Sequence, residues 1–184
     1  MFNTYVSLLA TAFIAFIFLL KIFYPYIVDQ SYQEGIIYIF PLGFSAVLFA
    51  LVYFFDMGYQ CAKDTSRTLP AIIVASIVNV TLNYILVPIF GVFGAIATSI
   101  TTYLLLVIYR YYDMRRYFKL SLYRSMIIAV AVMLLSAIPF YTLSKWYVLL
   151  MLMIAGCTIA ILTIPKSVRD EFLFMIREKT RNIR

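Results

Sequence analysis

The chain has 184 residues, of which 65% are hydrophobic and only 12% charged, with a mean hydropathy of +0.97 and a net charge of +7. A soluble domain is nearer half apolar and a quarter charged, so this balance excludes an ordinary water-soluble fold and points to an all-α, polytopic membrane protein. The positive charge sits in short segments beside apolar runs, where it meets anionic lipid headgroups rather than nucleic acid. There is no histidine, so a histidine base and a histidine metal site are excluded; the two cysteines, Cys61 and Cys157, fall in a predicted cytoplasmic loop and inside a predicted span, and nothing suggests a disulfide framework.

A spanning helix needs about 20 apolar residues, because it rises about 1.5 Å per residue through about 30 Å of hydrocarbon. The first predicted span is 2–23, with Lys21 reaching outward to the interface. It lacks a basic leader and a small-residue cleavage site, so it reads as a membrane helix, not a signal peptide. A polar loop over 24–35 carries Asp29 and Glu34. The second span is 36–55, with Pro41 and Gly43 in its early turns. A short cationic loop, 59–68, holds Lys63 and Arg67.

The third span is 69–90, with Pro70 in its first turn, where the missing N–H costs little. Gly91 and Gly94 bound a tight turn into the fourth span, 93–109. A basic, tyrosine-rich loop follows over 110–125, with Arg110, Arg115, Arg116, Lys119 and Arg124. The fifth span is 126–141 and the sixth 146–164. The tail, 166–184, puts Val168, Phe172, Met175 and Ile176 on one face among six cations. It reads either as an amphipathic helix on the membrane surface or as a frayed basic end. The chain thus divides into a six-helix bundle, 1–165, and a basic cytoplasmic tail, 166–184.

Six spans put every cation except Lys21 and Lys145 on one side. The positive-inside bias makes that side cytoplasmic and places both termini there. Ser76, Asn79 and Asn83 share one face of the third span, with the two carboxamides flanking the bilayer midplane. Gly94, Thr98 and Thr101 form a small-residue stripe on the fourth. Folding the chain at Gly91–Gly94 brings Asn83 near Thr98 and Thr101, either as interhelical glue or as the lining of a substrate cavity. Lys63 and Arg67 are either topogenic charges or contacts for a phosphate or diphosphate headgroup. Asp56, at the inner boundary, either pairs with Lys63 or Arg67 or serves transport. No nucleophile–base pair, metal cluster or phosphate-binding glycine loop stands out. The expectation is a non-enzyme without cofactors.

The same residues carry a resemblance. Lys63-Asp64-Thr65, then Asn79-Val80-Thr81-Leu82-Asn83, then Pro88-Ile89-Phe90-Gly91-Val92-Phe93-Gly94-Ala95 and Ala97-Thr98-Ser99 resemble the C-terminal part of bacterial polysaccharide exporters. These are the O-antigen and capsule repeat-unit flippases of the multidrug/oligosaccharidyl-lipid/polysaccharide superfamily. The resemblance covers about residues 5–115, and its 24–35 loop lacks that family's usual Phe-Gly pair. It implies location in the bacterial inner membrane and a lipid-linked oligosaccharide as partner, moved by alternating access between two lobes. Six helices match only the second lobe, so the resemblance also implies an N-terminal lobe supplied by a longer product or a second chain. The competing expectations are a cation antiporter of the same superfamily, an inactive truncated fragment, and a membrane enzyme or structural subunit.

Overall fold

The structure is a computed structural model that describes residues 2–117, 124–142, 151, 154–156 and 158. These residues are helical, with no strand among them, and four helices are long and apolar enough to cross a membrane. They are α1 (Phe2–Ile27), α2 (Ile36–Cys61), α3 (Thr68–Phe90) and α4 (Val92–Met114). Two shorter helices follow, α5 (Arg124–Leu135) and α6 (Ala137–Thr142). Of the sixth predicted span only 151, 154–156 and 158 are described, all helical; Cys157 and the tail lie outside the described residues.

Three helices outrun their sequence-based ends. α1 passes through Pro25, whose missing N–H forfeits only one bond near the helix end, and Val28 N–H still closes on Tyr24 at 3.0 Å. The predicted loop at 24–35 is therefore mostly ordered backbone. Asp29 accepts from Ser31 N–H at 3.0 Å and caps a short 3-10 helix, Gln30–Gly35. α2 continues six residues beyond Phe55 to Cys61. α4 carries Arg110 and Asp113 inside its last turns, so Arg110 is not a loop cation.

The chain forms two compact units. In one, Ile14, Ile17 and Phe18 of α1 are fully buried, and Ile14 and Phe18 line an apolar hollow together with Val132, Leu135 and Pro139. The ammonium of Lys21 donates to the Phe140 carbonyl and lies 5.0 Å from the Phe140 ring. Pro139 cannot donate to Leu135, and the fifth predicted span accordingly breaks between α5 and α6 at Ser136.

The other unit, Tyr24–Ser121, is built on α4. α2 and α4 run parallel, in register along their length. Tyr38 meets Phe93 at a ring distance of 4.7 Å near the start, and Phe49 meets Tyr103 at 5.2 Å midway. Tyr59 donates to Asp113 at 2.9 Å near the end. α3 runs back antiparallel and packs on α4, with none of its side chains buried. α4 is thus the middle helix, and a wedge stays open between α2 and α3.

Candidate functional site

The wedge begins at the turn between α3 and α4. Gly91 has φ +57° and ψ −129°, a conformation open in practice only to glycine, which ends α3 and starts α4 with no intervening loop. Three residues on, Gly94 lies directly against the α3 backbone. A Cβ there would stand 2.7 Å from the Leu86 carbonyl carbon and 3.0 Å from Val87 N. The missing side chain lets the two helices touch backbone to backbone.

From Gly94 the buried row of α4 runs Thr98, Thr102, Leu106 and Arg110. Steps of four advance about 40° beyond a full turn of a 3.6-residue helix, so this row winds round α4. It faces α3 at Gly94 and α2 at Arg110. Thr101, placed on the packing stripe from sequence, is exposed and returns its hydroxyl to Ala97. Thr98 is buried and bonds back to Gly94 at 2.9 Å. The contact across the hairpin is made one turn along: Asn79 Nδ2 donates to Thr102 Oγ1 at 3.1 Å. Among the described residues no hydrogen bond joins Asn83 to Thr98 or Thr101. Asn83 donates to Asn79 Oδ1 at 3.0 Å and so orients the carboxamide that crosses to α4.

Between α2 and α3 the wedge is a cleft of about 560 Å³ floored by Thr102, Leu106 and Arg110. Phe49, Tyr53 and Asp56 form one wall and Ile72, Ser76 and Asn79 the other. A second hollow, lined by Gln60, Thr65 and Thr68, shares Tyr53, Asp56 and Ile72 with it and extends it towards the α2–α3 connection. Arg110 has no exposed surface. Its Nη1 donates to the Val52 carbonyl at 3.0 Å and pairs with Asp56, whereas Nε and Nη2 have no hydrogen-bond partner among the described residues. Asp56 therefore pairs with neither Lys63 nor Arg67. α2 carries it one and a half turns inside the helix end, on the side facing α4.

Arg67 and Lys63 serve the helix ends. Lys63, at φ +56°, closes α2 with a left-handed cap: its N–H bonds Gln60 at 3.1 Å and Asp64 N–H bonds Tyr59 at 3.1 Å. Arg67 bonds Asp64 at 3.1 Å and Asp113 at 3.3 Å, and Tyr117 donates to Asp64. This clasp ties the α2–α3 connection to the end of α4.

The clasp is pH-sensitive in a defined direction. The Tyr117 hydroxyl, then Ser66 and Arg67, hold the Asp64 carboxyl below its ordinary value of 3.8. The same bond to Asp64 raises the Tyr117 hydroxyl above 10.0. A depressed acid contributes stability that is complete above its unfolded value and lost as pH falls through the folded one. A raised phenol contributes below its unfolded value and loses that as pH rises through the folded one. Thermal stability is therefore expected to be level between about pH 5 and about pH 9 and to fall outside that range, with Asp64→Asn removing the acid-side dependence that this carboxyl supplies. An acid limb unchanged in Asp64→Asn would exclude the clasp as its source.

Sequence reading missed Arg110 as a site residue and Tyr59 and Asp113 as its neighbours. One signal was present: continuing Gly94–Thr98 by fours reaches Thr102 and Arg110, whereas the heptad step to Thr101 leaves the packed row. These features define a class: an all-helical chain whose four long apolar helices suit it to a membrane, with polar groups gathered between three of them. No family profile, curated protein or solved structure matches the chain.

Proposed function

We propose that the chain is part of an exporter that flips an undecaprenyl-diphosphate-linked oligosaccharide across the bacterial inner membrane by alternating access. In this reading it supplies six spans of one lobe, with both termini and the basic tail in the cytoplasm. The companion lobe comes from a longer product or a second chain. The observation that carries the reading is the cleft between α2 and α3, which gathers Asn79, Thr102, Asp56 and Arg110 among helices otherwise apolar. Ionisable groups between membrane helices are costly and mark substrate or ion paths. The Asn79–Asn83 pair and the Gly91–Gly94 turn that shape this cleft are the residues that resemble polysaccharide flippases.

Reconstitution tests it. Vesicles carrying the chain, with its companion lobe where one is encoded, are expected to expose a fluorescent polyprenyl-diphosphate oligosaccharide to an external quencher faster than protein-free vesicles. Asn79→Leu, which removes the bond to Thr102, is expected to slow exposure about tenfold, the kinetic equivalent of one part-buried hydrogen bond. Exposure no faster than in protein-free vesicles refutes the proposal.

A further inference from the structure

Two residues of the cleft, Arg110 and its ion-pair partner Asp56, have buried polar atoms without a hydrogen bond among the described residues, and only the Arg110 atoms, Nε and Nη2, are donors. A guanidinium stays charged under all relevant conditions and carries five donors in a fixed plane. Here one nitrogen, Nη1, is spent on Val52 and Asp56. The two without partners, Nε and Nη2, form the side-on edge that receives two oxygens of one oxyanion. The side chain is wholly buried, so water on the outer surface does not complete it, and it lies on the floor of the cleft.

The surroundings define the rest of the ligand. Asp56 neutralises Arg110, so a free, fully hydrated phosphate ion would give up its water without meeting a surplus cation. A ligand that also buries an apolar chain offsets that loss. The walls of the cleft fit such a chain: Ile72 and Val80 on α3 are 41% and 69% exposed on a helix of membrane-spanning length. Arg110 lies four residues before the end of α4, about 6 Å inside it, which is within reach of a lipid head. Arg67 stands nearer that same end, bonded to Asp113.

We propose that the cleft between α2 and α3 binds the phosphoryl group of an anionic lipid on the Nε–Nη2 edge of Arg110, with the lipid chain lying between the two helices. Asp56 is the counterion that holds Arg110 in place and competes with the lipid for it. The assignment deepens the transporter reading, on which it rests only for why such a lipid enters the cleft.

The full chain in phosphatidylcholine nanodiscs, with and without phosphatidic acid, tests the site by native mass spectrometry and by the lipid-dependent change in Tm of each variant. Wild type is expected to retain one phosphatidic acid and to gain Tm. Arg110→Lys keeps the charge but lacks the paired edge, and is expected to bind about tenfold more weakly. Asp56→Asn leaves Arg110 intact and removes its competitor, so its affinity is expected to rise several-fold although the unliganded protein is less stable. An ion pair with a structural role alone predicts no such gain. Equal affinity in wild type and Arg110→Lys, or weaker binding in Asp56→Asn, overturns the proposal. An equal Tm gain from inorganic pyrophosphate in phosphatidylcholine alone overturns the lipid-borne assignment. Retained phosphatidic acid without oligosaccharide flipping refutes the transporter reading and leaves this site standing; flipping that Arg110→Lys does not alter does the reverse.

Discussion

Arg110→Leu is expected to destabilise the protein by about 3 kcal/mol, the low end of the range for breaking a buried ion pair. The low end applies because Asp56, left behind, keeps 22% of its side chain exposed and recovers some hydration. Most of the loss is the uncompensated Asp56 carboxylate, not the attraction removed. Adding Asp56→Asn is therefore expected to restore more than half of it, since a neutral amide tolerates the α2–α4 seam. Reversible unfolding in bicelles across the four-member cycle measures both terms. A loss below about 0.5 kcal/mol in Arg110→Leu would mean that the pair is not formed in the membrane.

Gly94→Val is expected to cost about 3 kcal/mol, the upper end for overpacking. The upper end follows from what the new side chain meets. Leu86 and Val87 present backbone there, which has no alternative rotamer to adopt. α3 has to move off α4, and the Asn79–Thr102 bond, 3.1 Å long, opens with it. Thr101→Val is the matched control, because Thr101 is exposed and bonds only within its own helix. It is expected to stay within about 0.5 kcal/mol of wild type. Equal losses in the two variants, read by the same unfolding assay, would show that Gly94 is not the point of closest approach.

Both predictions turn on positions whose role depends on helix rotation, and that is where sequence reading reached its limit. It placed the starts of α1, α2, α3 and α4 within one residue, because apolar runs start abruptly after polar ones. The ends of α1, α2 and α4 were placed short, because Pro25, Asp56 and Arg110 look like terminators in a linear hydropathy reading, whereas the end of α3 at Phe90 was placed correctly before Gly91. A single proline or charge does not end a helix when a neighbouring helix supplies the partner, as Arg110 does for Asp56. The face shared by Asn79 and Asn83 was also legible, since spacing within one helix fixes relative direction. Which of them crosses to α4 was not.

Composition, the lengths of apolar runs and the glycine spacing by themselves pointed to a helical chain of six apolar spans, of which the structure shows four as helices long enough to cross a membrane, and to a fold back at Gly91 between α3 and α4. These are local properties: backbone groups in hydrocarbon must be satisfied within the helix, and φ of +57° at Gly91 suits glycine. The tertiary structure alone decided that Asp56 faces Arg110, that Thr102 rather than Thr98 or Thr101 receives Asn79, and that α2 and α3 stand apart as a cleft. Those outcomes depend on the rotation and register of α4 between its neighbours. They are set by backbone contact at Gly94 and ring packing at Tyr38–Phe93 and Phe49–Tyr103, which join residues far apart in the chain.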